Sequence, residues 1–244
     1  MISSSAILPE MVTEEQERRL HELAAVFLEE NAKLNLSAFR TPEQCWIGNI
    51  LDSLAFLELF HRFPLPACPE PCRRASRLLL DLGTGGGFPL LPLAICLQEA
   101  SLTGLDATRK KADAVERIAE RLRLPNVRIL CGRAEELGRD SAHRGHYDVV
   151  TVRAVAPISI ALEYAAPFAK TGGRVVLWKS LRIETELQES LLARAELSCH
   201  LTDKHEYELP GGFGRRQLLV FEKTFATDGK YPRGIGIPKK HSLA

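Results

Sequence analysis

The chain has 244 residues, 45% of them hydrophobic and 26% charged, with a formal net charge of +1 at pH 7. This composition fits a globular protein with one large domain and an appendage, and it excludes a disordered chain or a strongly basic nucleic-acid-coating protein. Any contact with a polyanion has to come from local cationic faces. Six cysteines stand at 45, 68, 72, 96, 131 and 199. The one close pair, Cys68 and Cys72, has no second pair or histidine spaced to complete a zinc site, so free thiols in a reducing cytoplasm and no metal are expected. The stretch 1–9 lacks a basic region and a long apolar core, and no run approaches the ~20 apolar residues of a membrane span. A cytoplasmic protein without membrane attachment is expected.

Thr13-Glu14-Glu15-Gln16 is a capping-box pattern, followed at helical spacing by Leu20, Leu23, Ala24, Phe27 and Leu28. A second box, Thr41-Pro42-Glu43-Gln44, precedes Trp46, Ile47, Ile50, Leu51, Leu54 and Leu57. Two amphipathic helices follow from this spacing, separated by the polar stretch from Asn31 through Asn35 to Ser37. Pro64, Pro66, Pro69 and Pro71 then mark a linker. Residues 1–74 are expected to form a helical cap with that linker.

From 75 to 225 strand and helix patterns alternate, as a doubly wound parallel sheet requires. Strands are predicted at 76–80, 101–106, 127–130, 147–152 and 173–178, with helices after residue 89 and at 109–122 and 157–168. The last two strands, 198–208 and 217–223, are joined by Pro210-Gly211-Gly212-Phe213-Gly214, which suits an antiparallel hairpin. The helix at 109–122 interleaves Arg109, Lys110, Lys111, Arg117 and Arg121 with Asp113, Glu116 and Glu120, and reads as solvated. Residues 226–244 form a basic tail, in which Arg233, Lys239 and Lys240 stand among prolines and glycines. An RNA-contacting arm and a segment packed on the main domain are both open readings of that tail.

Between the first strand and its helix runs Asp81-Leu82-Gly83-Thr84-Gly85-Gly86-Gly87-Phe88-Pro89. Glycines at alternate positions allow a tight turn with positive φ and close approach of a ligand to the backbone. A dinucleotide fingerprint needs glycine at the sixth position, where this chain has Phe88. An acid followed by G-x-G-x-G instead resembles the S-adenosylmethionine (SAM) loop of Rossmann-like methyltransferases. The second strand ends in Asp106, followed by Ala107 and Thr108, where a carboxylate can take both ribose hydroxyls. After the third strand, Gly132-Arg133-Ala134-Glu135-Glu136 offers a backbone amide and a carboxylate that can read an adenine edge, and a merely solvated Glu135 is the open alternative.

The residues after the fourth strand limit the chemistry. Arg153-Ala154-Val155-Ala156 lacks the Asn/Asp-Pro-Pro-aromatic tetrapeptide of exocyclic-amine methylases. Cys131 sits at an apolar strand end without an activating partner, so pyrimidine-carbon methylation is disfavoured as well. An acceptor that is already nucleophilic, such as guanine N7, needs no general base, only alignment with the sulfonium methyl. Arg153 is a candidate for the SAM carboxylate or a phosphate, and Lys179 for phosphate or the base.

Taken together, these segments resemble the RsmG (GidB) family of bacterial 16S ribosomal RNA guanine-N7 methyltransferases. The matching residues are Asn35-Leu36-Ser37, Ile50-Leu51-Asp52-Ser53, the loop from Asp81 through Gly83, Gly85 and Gly87 to Pro89, and Asp106 to Lys111. Gly132 to Glu135, Arg153 to Pro157, Tyr231-Pro232-Arg233 and Pro238 complete the match. The resemblance implies a class I SAM-dependent α/β fold with a C-terminal antiparallel hairpin. It implies a SAM site at Gly83, Phe88, Asp106 to Thr108, Ala134, Glu135 and Arg153, and substrate-side roles for Asn35, Arg133, Lys179 and Arg233. The partner implied is small-subunit ribosomal RNA, free or within a ribosomal particle, and a monomeric enzyme is expected. Asn49 stands where the family usually has histidine, Ser180 where it has glycine, and the tail lacks a second basic residue beside Arg233. A small-molecule methyltransferase and a non-catalytic RNA-binding assembly factor are the competing readings.

Overall fold

The computed structural model describes residues 11–63 and 77–243. The linker prolines, the N-terminal stretch, and Cys68 and Cys72 lie outside the described residues. A seven-stranded sheet in the order β3-β2-β1-β4-β5-β7-β6 organises the chain. Its strands are β1 (Leu78–Leu82), β2 (Ser101–Asp106), β3 (Val127–Cys131), β4 (Tyr147–Arg153), β5 (Ala169–Ser180), β6 (Cys199–Leu209) and β7 (Gly214–Lys223). β1 to β5 pair in parallel, and β7 is antiparallel to both β5 and β6. The chain leaves β1 toward β2 on one side and reaches β4 on the other, so the order reverses at β1/β4. Ligands of open parallel sheets bind at such a point, beyond the carboxyl ends of the strands.

Side chains alternate across the sheet with period two, and each set enters a different core. Leu79, Leu102, Val149, Val176 and Leu218 join one core with α1 (Glu14–Leu34), α5 (Leu90–Cys96) and α6 (Arg109–Arg121). Leu80, Leu82, Val150, Val175, Leu177 and Phe221 join the other with α8 (Ile158–Ala165) and α10 (Leu191–Glu196). Phe27, Ile50 and Leu54 belong to the same core as Leu79, so the N-terminal helices cover one face of the sheet.

α1 begins as its capping box predicts: Thr13 Oγ1 accepts from the Gln16 amide, and the Gln16 side chain accepts from the Thr13 amide. The second amphipathic segment departs from a single helix. It runs as α2 (Pro42–Cys45), a π-helical turn (Trp46–Leu51), α3 (Asp52–Leu54) and α4 (Phe56–Phe60). A π turn widens the helix and loosens its carbonyls from the usual i→i−4 ladder, and at this turn Arg153 donates to the carbonyls of Gly48 and Asn49. α6 is more than a solvated helix, since Arg117 reaches Glu30 of α1 at 2.7 Å and Arg121 pairs with Glu29. The short α7 (Ala134–Leu137), α9 (Glu184–Glu189) and α11 (Ile237–Lys240) carry no long apolar periodicity and were not evident in the sequence. Cys131 ends the edge strand β3 and is half-buried, not a deep core thiol.

Candidate functional site

The loop after β1 is built by its glycines. Gly83, Gly85 and Gly87 take φ of 75°, 57° and 89°, which side-chain-bearing residues rarely adopt. A Cβ on Gly83 would stand 2.6 Å from Val155 Cγ2, and one on Gly87 would stand 2.5 Å from Leu91 Cδ1. Those two glycines are required by protein packing. Gly85 differs: the nearest atom to a Cβ there is the Gly83 carbonyl oxygen at 3.7 Å, so that face of the loop is open to a ligand.

Asp106 ties this loop to β2. Its Oδ2 accepts the Gly85 amide at 2.9 Å and its Oδ1 accepts the Thr108 amide at 2.8 Å. The Gly83 and Thr84 amides donate to the Leu105 carbonyl at 2.8 and 3.0 Å. An ionised carboxylate has about four acceptor positions, so two remain for hydroxyl donors. Asn at 106 offers one carbonyl where two amides now donate. We expect Asp106→Asn to weaken binding of a ribose-bearing ligand by about 1.5–3 kcal/mol, measured by calorimetry.

Asp81, near the end of β1, is 3% exposed. The Thr151 hydroxyl donates to its Oδ1 at 2.9 Å, while Oδ2 has no hydrogen-bond partner among the described residues. Burial pushes the pKa of Asp81 up to about 6, partly offset by the neighbouring Thr84 and Thr151 hydroxyls and the charge of Arg153. A buried acceptor oxygen of this kind suits a cationic group on a ligand.

The N-terminal segment covers the loop. Asn31, 1% exposed, donates to the carbonyls of Ser37 and Phe39 and accepts the Ser37 amide at 2.8 Å, which folds residues 35–39 back over the glycines. A Cβ on Gly86 would meet Phe27 Cε2 at 3.0 Å and Leu36 Cβ at 3.3 Å, and the Phe27 ring meets Phe88 edge-on at 4.8 Å. Sequence reasoning missed Asn31; the signal was a lone amide in the last turn of an amphipathic helix.

Several expected ligand residues are engaged within the protein. Arg153 is one: its Nε lies 2.9 Å from Asp52 Oδ2, and its terminal nitrogens reach the π-turn carbonyls. Asp52, 2% exposed, also accepts the Tyr207 hydroxyl at 2.6 Å, and its carbonyl accepts Trp178 Nε1 at 2.9 Å. Burial and this carboxylate push the Tyr207 phenol far up. Arg153 therefore clamps the helical segment to the sheet through Asp52 and the carbonyls of the π turn. Lys179 pairs with Glu186 and donates to the Ala156 carbonyl at 3.0 Å, so it steadies the loop before α8.

Glu135 is buried and accepts the Gly236 amide at 3.1 Å, which brings the tail to the start of α7 beside Ala134. Arg233 is engaged within the fold by a buried carboxylate. It binds Glu163 through Nε and Nη2 at 2.8 and 2.6 Å, and its amide donates to the same carboxylate at 2.9 Å. The Tyr231 side chain is buried, and Arg144 donates to the carbonyls of Thr227, Asp228 and Tyr231. The tail is packed on the main domain. Asn35 and Arg133 are exposed; Asn35 Oδ1 accepts from Arg40 at 2.7 Å.

Comparison with known proteins agrees with this geometry. A sequence profile of the GidB family, described as rRNA small subunit methyltransferase G, matches residues 16–208. "Ribosomal RNA small subunit methyltransferase G" of Carboxydothermus hydrogenoformans is 36% identical over 218 residues, covering 89% of this chain and 88% of that protein. The protein of the same name from Deinococcus deserti is 38% identical over 221 residues, covering 91% and 86%. Among solved structures, the O-methyltransferase from Bacillus cereus in complex with SAH is similar in fold, with a TM-score of 0.54 at 18% identity, covering 82% of this chain and 91% of that one. With the glycine loop, the β2 carboxylate and the reversed strand order in place, and with relatives of this identity along most of its length, the chain belongs to the GidB family of small-subunit ribosomal RNA methyltransferases.

Proposed function

We propose that this protein transfers a methyl group from SAM to N7 of a guanine in 16S ribosomal RNA. The observation that carries the proposal is the family match across the residues that build the loop, the β2 carboxylate and the helical cover. Bound SAM supplies a methyl group on an electrophilic sulfonium. The chain's part is to bind and orient. Gly83, Gly85 and Gly87 would present backbone to the cofactor, with Phe88 closing the loop, and Asp106 with Ala107 and Thr108 would take the ribose. Ala134 and Glu135 would border its adenine, and the unpartnered Oδ2 of Asp81 would receive its α-ammonium. Guanine N7 already carries a lone pair, so alignment suffices and no general base is needed. Arg133 and Asn35 are exposed and would meet the RNA, Asn35 giving up its contact with Arg40, while Arg153, Lys179 and Arg233 hold the elements around the site in place. We further propose that the enzyme works in the cytoplasm as a monomer on RNA within the small subunit. Among the described residues no helix is long and apolar enough to cross a membrane.

Comparing methyl transfer to naked ribosomal RNA, to small-subunit particles and to a panel of small metabolites tests the substrate class. Label confined to metabolites would favour a small-molecule enzyme, and SAM binding without any transfer would favour an assembly factor.

Asp81 gives a pH prediction. Its pKa of about 6 in the fold lies above the 3.8 of an unperturbed side chain. Between those values the folded chain holds a proton that the unfolded chain has lost. The stability contribution is full below about pH 4 and is lost as pH rises through about 6, by something on the order of 2–3 kcal/mol. Asp81→Asn should flatten that part of a denaturation-versus-pH profile. Because a cation favours the ionised carboxylate, SAM affinity of the unsubstituted protein should rise over the same interval.

A further inference from the structure

With Arg233 held by Glu163, another set of cations stands better placed for a polyanion. Arg182 follows β5 by two residues, and β7 enters beside it, with Arg216 opposite Ser180 and Arg215 opposite Glu208. The β6–β7 turn, residues 210–213, therefore lies at the carboxyl end of the parallel strands, the same end as the glycine loop. Strands are spaced about 4.8 Å apart, which puts β7 roughly 10 Å from β4 on the side away from β2.

Arg182 is exposed and has no hydrogen bond or ion pair with another described residue. The Arg215 side chain is 58% exposed, and its partner Glu206, at 2.8 Å, is 53% exposed. An exposed pair of this kind is weak and exchanges readily for a stronger anion. Just before Arg215 the backbone is open: nothing lies within 4 Å of a Cβ built on Gly212 or Gly214. The turn is anchored all the same. The Phe213 ring packs on Phe39 at 5.7 Å, and a Cβ on Gly211 would come 3.1 Å from Ile47 Cδ1.

We propose that Arg182, Arg215 and the glycine-rich turn beside them form the docking edge for the RNA phosphate backbone, on the side of the target base away from the cofactor. Planar guanidinium forks match phosphate oxygens, and an anchored turn with bare backbone lets a polynucleotide approach closely. The proposal rests on the ribosomal RNA substrate argued above and adds where that RNA is held.

The test uses the full chain carrying Arg182→Ala and Arg215→Ala. SAM affinity and melting temperature should match those of the unsubstituted protein, since neither residue joins the core or the glycine loop. Affinity for small-subunit ribosomal RNA should fall on the order of tenfold, with KM for RNA rising and kcat held, and the log-log salt slope should become shallower by about 1–2. Arg62→Ala with Arg123→Ala, two exposed cations at the amino end of the strands, should leave RNA binding unchanged. An unaltered RNA KM and salt slope in the Arg182/Arg215 variant, or an equal loss in the Arg62/Arg123 variant, would overturn the docking edge. Failure of the unsubstituted protein to methylate ribosomal RNA would instead overturn the substrate reading itself.

Discussion

Replacing Arg233 with alanine should destabilise the protein by about 3–5 kcal/mol, the range for removing one partner of a buried ion pair. The Glu163 side chain is 1% exposed, and every hydrogen bond it accepts from described residues comes from Arg233. Without that guanidinium, a carboxylate inside α8 loses its charge partner and two of its three donors. Denaturant titration reads the loss directly. Converting Glu163 to leucine in the same chain should recover much of it, because an apolar pair leaves no charge to satisfy. Truncation after Asp228 should be at least as damaging, since it also removes buried Tyr231 and the Gly236 amide that Glu135 accepts. SAM affinity should fall with stability in the truncated chain. A truncated chain with full stability and SAM affinity but poor RNA binding would restore the reading of the tail as an RNA arm.

Gly85→Val should abolish measurable SAM binding while the protein remains folded. The φ of 57° at Gly85 is strained for a β-branched residue, at a cost of roughly 1–3 kcal/mol. No packed neighbour crowds the new Cβ, whose nearest atom is 3.7 Å away. The side chain therefore enters the space left to the cofactor. Gly83→Val offers the contrast: its clash with Val155 should lower stability as well as binding. Circular dichroism and calorimetry on both variants separate the two effects, and unchanged SAM affinity in Gly85→Val would remove the loop from the site.

The sheet was legible because buried strands carry short apolar runs and their turns carry glycine. Asp81, the alternating glycines and Asp106 were legible because spacing along the chain fixes how they meet at adjacent strand ends. Partners distant in sequence were not. Nothing near Arg153 points to Asp52, and a lone arginine after a strand has the same appearance whether it binds ligand or clamps a helix. In the tail, cations spaced by proline and glycine suit solvent, RNA and a buried carboxylate alike. The clue lay elsewhere: Glu163 is the one charged residue in α8, which is buried throughout, and such a residue needs a partner. The π-helical turn left no mark because residues 46–51 keep an ordinary helical pattern.

Methylation at guanine N7 leaves a base whose chemical removal makes a cleavable site in RNA. Purified protein incubated with SAM and small-subunit particles, followed by N7-specific cleavage and primer extension along the 16S RNA, tests it most directly. One strong SAM-dependent stop at a guanine, absent with Gly85→Val, is the predicted result. Methyl incorporation into the RNA without any N7-specific cleavage would contradict it.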